Sequence, residues 1–246
     1  MKTLTGTAAG IGFSQVFNPA FVSALEKALE THPVLWVQGQ GCTGCSVSLL
    51  NSVDPSIADV LLKVISLQFH PTVMASEGET ALENLYHIAE KYKGKFSLAV
   101  EGAIPMAANG KYCVVGELDH KEITMVDIVK DLGAKAGSVL SVGTCAAYGG
   151  IPAAKGNQTE AVGVMDFFKL YGIKTPVVNI PGCPSHPDWI VGSIAHLLTK
   201  GLPELDDDGR PVVFFGENIH DNCSHVEEYD NGIMSAGLSD AKGCRM

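Results

Sequence analysis

Pro33-Val34-Leu35-Trp36-Val37-Gln38-Gly39-Gln40-Gly41-Cys42-Thr43-Gly44-Cys45 is an apolar run closed by glycines and delivered onto two cysteines. A short continuous apolar segment bounded by turn residues reads as a buried strand. A helix is expected after Cys45, with Val47, Leu49, Leu50 and Val53 on its apolar side. The same grammar repeats along the chain. Ala58 to Phe69 is apolar and β-branched in its second half, a second strand ending at His70-Pro71. Glu77 to Lys93 keeps Leu82, Leu85, Tyr86 and Ala89 at helical spacing, with Gly94 placed as a C-cap. Phe96 to Val100 reads as a strand that runs into Glu101-Gly102-Ala103-Ile104-Pro105. Ile123 to Leu132 reads as a helix, and Ser138 to Val142 as a strand ending at Gly143-Thr144-Cys145. Ala161 to Tyr171 is helical, Pro176 to Ile180 is a strand ending at Pro181-Gly182-Cys183, and Trp189 to Lys200 is the next helix. Strands alternating with helices specify βαβ units and a parallel sheet. Three of the strands end at cysteines, and the carboxyl ends of parallel strands form the functional edge. The chemistry is therefore expected on one rim.

Composition narrows the class. Of 246 residues, 46% are hydrophobic and 18% charged, against about 25% charged in a typical domain. A sizeable core is available, disorder is not expected, and part of the exterior should be covered by something else. Lys+Arg 17 against Asp+Glu 27 gives −10, which argues against nucleic acid as a partner, because phosphate neutralisation needs clustered cations. No apolar run is long enough for a membrane span. Leu4 to Phe21 is small, apolar and uncharged behind Lys2, as in the apolar part of an export signal, without a twin-arginine pair. Residues 1–30 are read as an N-terminal extension or a remnant of such a signal, and 31–203 as the main domain. From 204 to 246 the alternation gives way to a Gly- and Asp-studded segment.

Seven cysteines, an odd number in a chain that is not small, fit a disulfide framework poorly. Cys42 and Cys45 come from one turn, Cys145 and Cys183 from two separate loops, and each lies within two residues of a glycine. Glycine lets backbone amides approach ligand atoms, as expected around a cluster whose potential depends on hydrogen bonds to sulfur. Structural zinc usually takes two short paired spacings, so single third and fourth cysteines favour an iron–sulfur cluster over zinc. Dithiol redox chemistry at Cys42 and Cys45 would leave Cys145 and Cys183 unexplained. Cys113 sits in an apolar strand-like run and reads as a core thiol. His220 and Cys223, with Cys244, form a second set, one ligand short of a cluster; mixed His and Cys ligation is chemically available, as in Rieske centres.

At Gly41-Cys42-Thr43-Gly44-Cys45-Ser46, Glu101-Gly102-Ala103-Ile104-Pro105, Gly143-Thr144-Cys145-Ala146-Ala147-Tyr148-Gly149-Gly150-Ile151-Pro152, Ile180-Pro181-Gly182-Cys183-Pro184 and His220-Asp221-Asn222-Cys223, the sequence resembles the small subunit of a nickel–iron hydrogenase. The match runs from about Pro33 to the end. Gly39-Gln40-Gly41 and Gly243-Cys244-Arg245 resemble the nickel–iron–selenium branch. The resemblance implies an α/β fold: a flavodoxin-like doubly wound parallel sheet followed by an irregular iron–sulfur cluster-binding segment. It implies that Cys42, Cys45, Cys145 and Cys183 bind a proximal 4Fe–4S cluster beside the Ni–Fe centre of a separate large subunit. His220, Cys223 and Cys244 would be three of four ligands of a distal 4Fe–4S cluster. Family members continue to a further cysteine and to the ligands of a medial cluster, so a truncated C-terminus is expected. The implied reaction is H2 ⇌ 2H+ + 2e−, in the periplasm, with the active-site metal in the partner and electrons passed one at a time through this chain.

Glu101, at the rim, is a candidate proton relay or an ordinary interface carboxylate. His186, Asp188 and Trp189 read as packing and helix-start residues, with His186 close enough to Cys183 to touch its surroundings. From Asp206 to Met246 three basic and nine acidic residues account for −6 of the net charge, and Glu217, Asp221, Glu227, Glu228 and Asp230 flank His220 and Cys223. An acidic collar of this kind steers basic partners, and a basic multihaem cytochrome c is the expected one. Peripheral membrane association is also allowed. Two other readings stand beside this one: the iron–sulfur subunit of a related quinone-reducing respiratory complex, and a zinc-stabilised flavodoxin-like binding module. The first usually carries adjacent cysteines where Thr43-Gly44 intervenes here.

Overall fold

The apolar runs assemble as five parallel strands around one sheet. The computed structural model describes residues 32–218, 220–237 and 242–244. The N-terminal extension expected over residues 1–30 lies outside the described residues. In chain order the elements are β1 (Pro33–Gln38), α1 (Gly44–Leu50), β2 (Ser66–Phe69), α2 (Gly78–Lys91), β3 (Ser97–Glu101), β4 (Ile104–Pro105), β5 (Val114–Leu118), β6 (Lys121–Thr124) and α3 (Met125–Lys135). Then come β7 (Ser138–Val142), α4 (Gly143–Tyr148), β8 (Ala161–Val162), α5 (Val164–Tyr171), β9 (Val177–Ile180), α6 (Pro187–Lys200), α7 (Val212–Phe215) and α8 (Val226–Asp230).

The large sheet has the order β2-β1-β3-β7-β9, with every pair parallel. Counting only its own strands, this is the 2-1-3-4-5 order of the flavodoxin-like doubly wound fold. Register explains why the runs are apolar throughout rather than alternating. Trp36 pairs with Ala99, Ala99 with Leu140 and Leu140 with Val178, and all four face one core cluster. Their neighbours Leu35, Leu98 and Val139 pair in the same way and face the other. Helices α2, α3 and α5 cover the second face; α1 and α6 cover the first, through Leu49 and through Ile190, Val191 and Ile194. Both faces are dry, as a parallel sheet requires.

The direction of winding reverses between β1 and β3. The loop carrying Cys42 and Cys45 leaves β1 at this switch point, where open α/β sheets place their ligands.

Several boundaries differ from the sequence reading. The helix expected from Ile123 starts at Met125, because Thr124 and Asp127 form a capping box; such a cap stabilises a helix by about 1 kcal/mol. Ile123 belongs instead to the antiparallel pair β5–β6. Ala161 and Val162 are not the start of α5 but a short strand against Ile104 and Pro105, and Gly163 is the N-cap of the helix, which starts at Val164. Helix α1 buries Cys45, Ser46 and Leu49, so Val47, Leu50 and Val53 face outward, Val53 at 85% exposure. Cys113 is half-buried against the α2–α3 core, one residue ahead of β5. Among the described residues no helix is long and apolar enough to cross a membrane.

Candidate metal centre

Four loops converge at the carboxyl edge of the sheet. Gly39 N–H donates to the Glu101 carbonyl at 2.7 Å, and Gln40 and Ala103 exchange backbone hydrogen bonds at 2.8 Å, so the loops after β1 and β3 run together. Thr144 N–H donates to the Gly182 carbonyl at 2.9 Å while Gly182 N–H donates to Thr144 Oγ1 at 3.0 Å, which ties the loop after β7 to the loop after β9. Ser48 Oγ donates to the Ser185 carbonyl at 2.7 Å and fastens α1 to that last loop. The result is one small pocket, about 20 Å³, walled by Cys42, Cys45, Cys145 and Cys183. It opens onto a cleft of about 510 Å³ whose walls include Gln40, Ile151, Asn157 and Thr159.

Glycines form the cradle for the sulfurs. A Cβ added at Gly44 would lie 3.0 Å from Cys42 Sγ, and one at Gly150 would lie 3.0 Å from Cys145 Sγ. At Gly143 an added Cβ would overlap Cys45 Sγ outright. The sulfurs thus occupy the space that side chains would otherwise take.

Neighbouring charge acts on Cys45 and Cys145 in one direction. Burial is the main reason the Cys45 thiol is pushed up to about 11 from an ordinary 9.0, and Glu101, Cys145 and Cys42 add to it against a lowering hydrogen bond from the Ser185 backbone. Cys145 is raised as well, first by burial and then by Cys183, Cys42 and Glu101, with Ile151 N–H opposing. A dithiol redox pair needs the opposite, a thiol made acidic by its surroundings. A cationic metal group reverses the balance, since coordination deprotonates a thiol. The donor set is four soft sulfurs, suited to zinc or to iron–sulfur clusters. Four such thiols wall one pocket, a donor set that a group of this kind can take.

Glu101 is 4% exposed and turned inward, so it is not the surface interface carboxylate that the sequence allowed. Helix α1 explains why. Its N-cap Thr43 is left-handed (φ 63°) and provides no side-chain cap, which leaves the first amides of the helix without local partners. Glu101 Oε1 takes them, accepting from Cys45 N–H at 3.0 Å and Ser46 N–H at 3.1 Å. Its Oε2 accepts from Trp36 Nε1 and Gln38 Nε2, each at 3.1 Å, and from the Ser46 hydroxyl. Five donors and no acceptor are the pattern of an ionised carboxylate. The Ser46 hydroxyl also stands 3.1 Å from His70 Nε2. Sequence reading missed Trp36, Gln38, Ser46 and His70 as a set. Their shared signal was position, since Gln38 and His70 lie at strand ends on the cysteine rim.

The second set is placed differently. His220 lies in a single 3-10 turn with its ring 5.1 Å from Tyr229. Cys223 Sγ accepts from His225 N–H at 3.4 Å, and Cys244 is buried and backbone-paired beside Met234. These three do not close on a single ion. His186 is the N-cap of α6, accepting from Asp188 N–H at 3.3 Å, and Trp189 packs edge-on to Phe215 at 4.8 Å.

Comparison with known proteins agrees with this architecture. A family model described as NADH ubiquinone oxidoreductase, 20 Kd subunit, matches residues 42–197, which span all four rim cysteines. The periplasmic [NiFeSe] hydrogenase small subunit of Desulfomicrobium baculatum is 55% identical over 257 aligned positions, covering the whole of this chain and 81% of its own. The solved structure of recombinant [NiFeSe] hydrogenase from Desulfovibrio vulgaris Hildenborough superposes with a TM-score of 0.81 at 60% identity, covering 87% of this chain and 80% of that one. The reduced, active Ni-Fe-Se hydrogenase of Desulfomicrobium baculatum gives a TM-score of 0.82 at 56% identity over the same shares. With a parallel sheet in this strand order and four cysteines at its switch-point edge, the chain belongs to the small-subunit family of the nickel–iron and nickel–iron–selenium hydrogenases.

Proposed function

We propose that this chain is the iron–sulfur electron-transfer subunit of a periplasmic heterodimeric hydrogenase, with a 4Fe–4S cluster held by Cys42, Cys45, Cys145 and Cys183. The observation that carries the reading is the pocket these four thiols wall at the sheet edge. When bound, the cluster supplies a one-electron site between the Ni–Fe centre of a large subunit, where H2 ⇌ 2H+ + 2e− takes place, and an outside acceptor. The chain's own residues supply geometry and field: hydrogen-bonded loops fix the sulfurs and backbone amides of Ser185 and Ile151 approach Cys45 and Cys145. Apolar side chains exposed around the cysteine loops, Val47, Leu50, Tyr148 and Ile151, suit cover by the large subunit. Glu101, with both oxygens occupied by donors, serves here as the anchor of the first cysteine loop rather than as a proton relay.

Iron and acid-labile sulfide in the anaerobically purified complex test the reading; zinc without sulfide would replace it with the zinc-binding module. A nickel-bearing partner and hydrogen uptake separate it from the quinone-reducing relative. A Cys183→Ser chain is expected to lose the proximal signal in electron paramagnetic resonance, and an unchanged spectrum would contradict the ligand assignment.

In this reading residues 204–246 begin a second cluster-binding segment, with His220, Cys223 and Cys244 as ligands of a distal 4Fe–4S cluster. Glu217, Asp221, Glu227 and Asp230 are exposed around this segment, where a basic multihaem cytochrome c would dock, with or without peripheral membrane association. Lysine at both Glu227 and Glu228 is expected to slow electron delivery to such a cytochrome several-fold at low salt, and less at high salt, where surface charge is screened. Equal rates at low salt would remove the docking assignment.

A further inference from the structure

Electron transfer through four cysteines leaves His70 without a role, yet this side chain is fixed from three directions. The residue is 3% exposed. Its ring stacks on Trp36 with centroids 5.3 Å apart. Nδ1 accepts the Thr72 N–H at 3.1 Å, and Nε2 faces Ser46 Oγ at 3.1 Å. With Nδ1 acting as an acceptor, the neutral ring carries its proton on Nε2 and donates it to Ser46 Oγ. Gln38 Nε2 donates to the same oxygen at 3.0 Å. Two donors fill the lone pairs of the hydroxyl, so its single proton can go only to Glu101 Oε2. The direction of the whole chain, His70 to Ser46 to Glu101, follows from one backbone hydrogen bond at Thr72. At its end the carboxylate holds the Cys45 and Ser46 amides, and its charge is felt by the Cys45 and Cys145 thiols.

We propose that His70 is a positioning residue for the proximal cluster: acting through Ser46, it locks the Glu101 carboxylate under the first cysteine loop and thereby sets the reduction potential at Cys45. The inference rests on the cluster reading above. Each donor to Glu101 spreads its negative charge; without His70 the Ser46 hydroxyl is free to turn from the carboxylate, which leaves more of that charge facing the site, so that an added electron is less welcome.

The test is a redox titration of the proximal signal in the intact heterodimer. In a His70→Leu complex the midpoint should move negative, with the reduced fraction at the wild-type midpoint falling about threefold or more. Ser46→Ala, which removes the donor to Glu101 itself, should shift the midpoint at least as far, and the double variant no further than Ser46→Ala, because the two residues act in a single chain. His70→Gln, whose amide can again donate to Ser46, should restore the wild-type midpoint. A cluster-replete His70→Leu complex with the wild-type midpoint, or additive shifts in the double variant, would overturn the assignment. Should His70→Leu fail to assemble, Ser46→Ala decides alone, and an unmoved midpoint there refutes it. A wild-type complex lacking iron and sulfide would instead refute the cluster reading itself.

Discussion

A Gly143→Ala chain is expected to keep its five-stranded sheet and to lose the cofactor held by its four cysteines. Gly143 follows the last residue of β7 with φ 85°, in the left-handed region, where a non-glycine residue costs about 1–2 kcal/mol. Strain alone would be tolerated. The decisive effect is steric, because the new Cβ would overlap Cys45 Sγ. Cys45 has no room to retreat. It is buried at the first turn of α1, its amide is held by Glu101, and α1 is fastened to the loop after β9 through Ser48. Either the thiol turns out of the pocket or the loop after β7 shifts and takes Cys145 with it. Both remove a ligand. Bound iron should fall more than tenfold, while far-ultraviolet circular dichroism retains the α/β signature. Gly156→Ala is the matched control: its φ is 88° and an added Cβ would meet nothing within 4 Å. It pays the same strain without the clash, and its iron content should match wild type. Equal iron in Gly143→Ala and Gly156→Ala would show that the cradle does not depend on the missing Cβ.

The reach of the sequence stopped at specific places, each for a physical reason. Strands β1, β3, β7 and β9 were legible to within a residue because a parallel strand dry on both faces must be a continuous apolar run. The rim cysteines were legible because they follow those strands directly, beside glycine. Less visible was the hairpin β5–β6. Its strands alternate weakly and lie at the protein surface, so Val114 and Val115 suggested one core strand rather than half of an exposed pair. Helix α1 misled through its composition: Val47, Leu50 and Val53 are apolar for a reason other than the core of this chain. The Glu101 network was out of reach altogether. Its donors at Trp36 and Ser46 lie 65 and 55 residues away in sequence, brought together only by the β1–β3 pairing and the turn into α1. Periodicity and spacing report local structure, and this contact set is tertiary.

Glu101→Leu should be the more damaging change of all, and through folding rather than through turnover. Removing the carboxylate leaves five donors without their acceptor. The Ser46 hydroxyl and the Gln38 amide can turn to other partners. Trp36 Nε1 and the Cys45 and Ser46 amides cannot, since a buried indole and a helix N-terminus have no freedom to rotate. Three buried orphaned donors at about 1–3 kcal/mol each approach the whole net stability of a domain, about 5–15 kcal/mol. Soluble, assembled heterodimer should be nearly absent. Glu101→Gln separates this account from a proton-relay role. Its Oε1 can still serve the two amides, while its NH2 meets the Trp36, Gln38 and Ser46 donors; the Gln38 amide and the Ser46 hydroxyl can turn away, which leaves the Trp36 N–H unpaired at about 1–3 kcal/mol. That complex should assemble and melt several degrees lower, with hydrogen turnover per assembled molecule largely kept. A relay carboxylate would show itself in the amide variant: the assembled Glu101→Gln complex would lose turnover per molecule, whatever its melting temperature. The yield of assembled Glu101→Leu complex, read beside the melting temperature and specific activity of the purified Glu101→Gln complex, therefore decides whether Glu101 is there to hold the cysteine loop or to move protons.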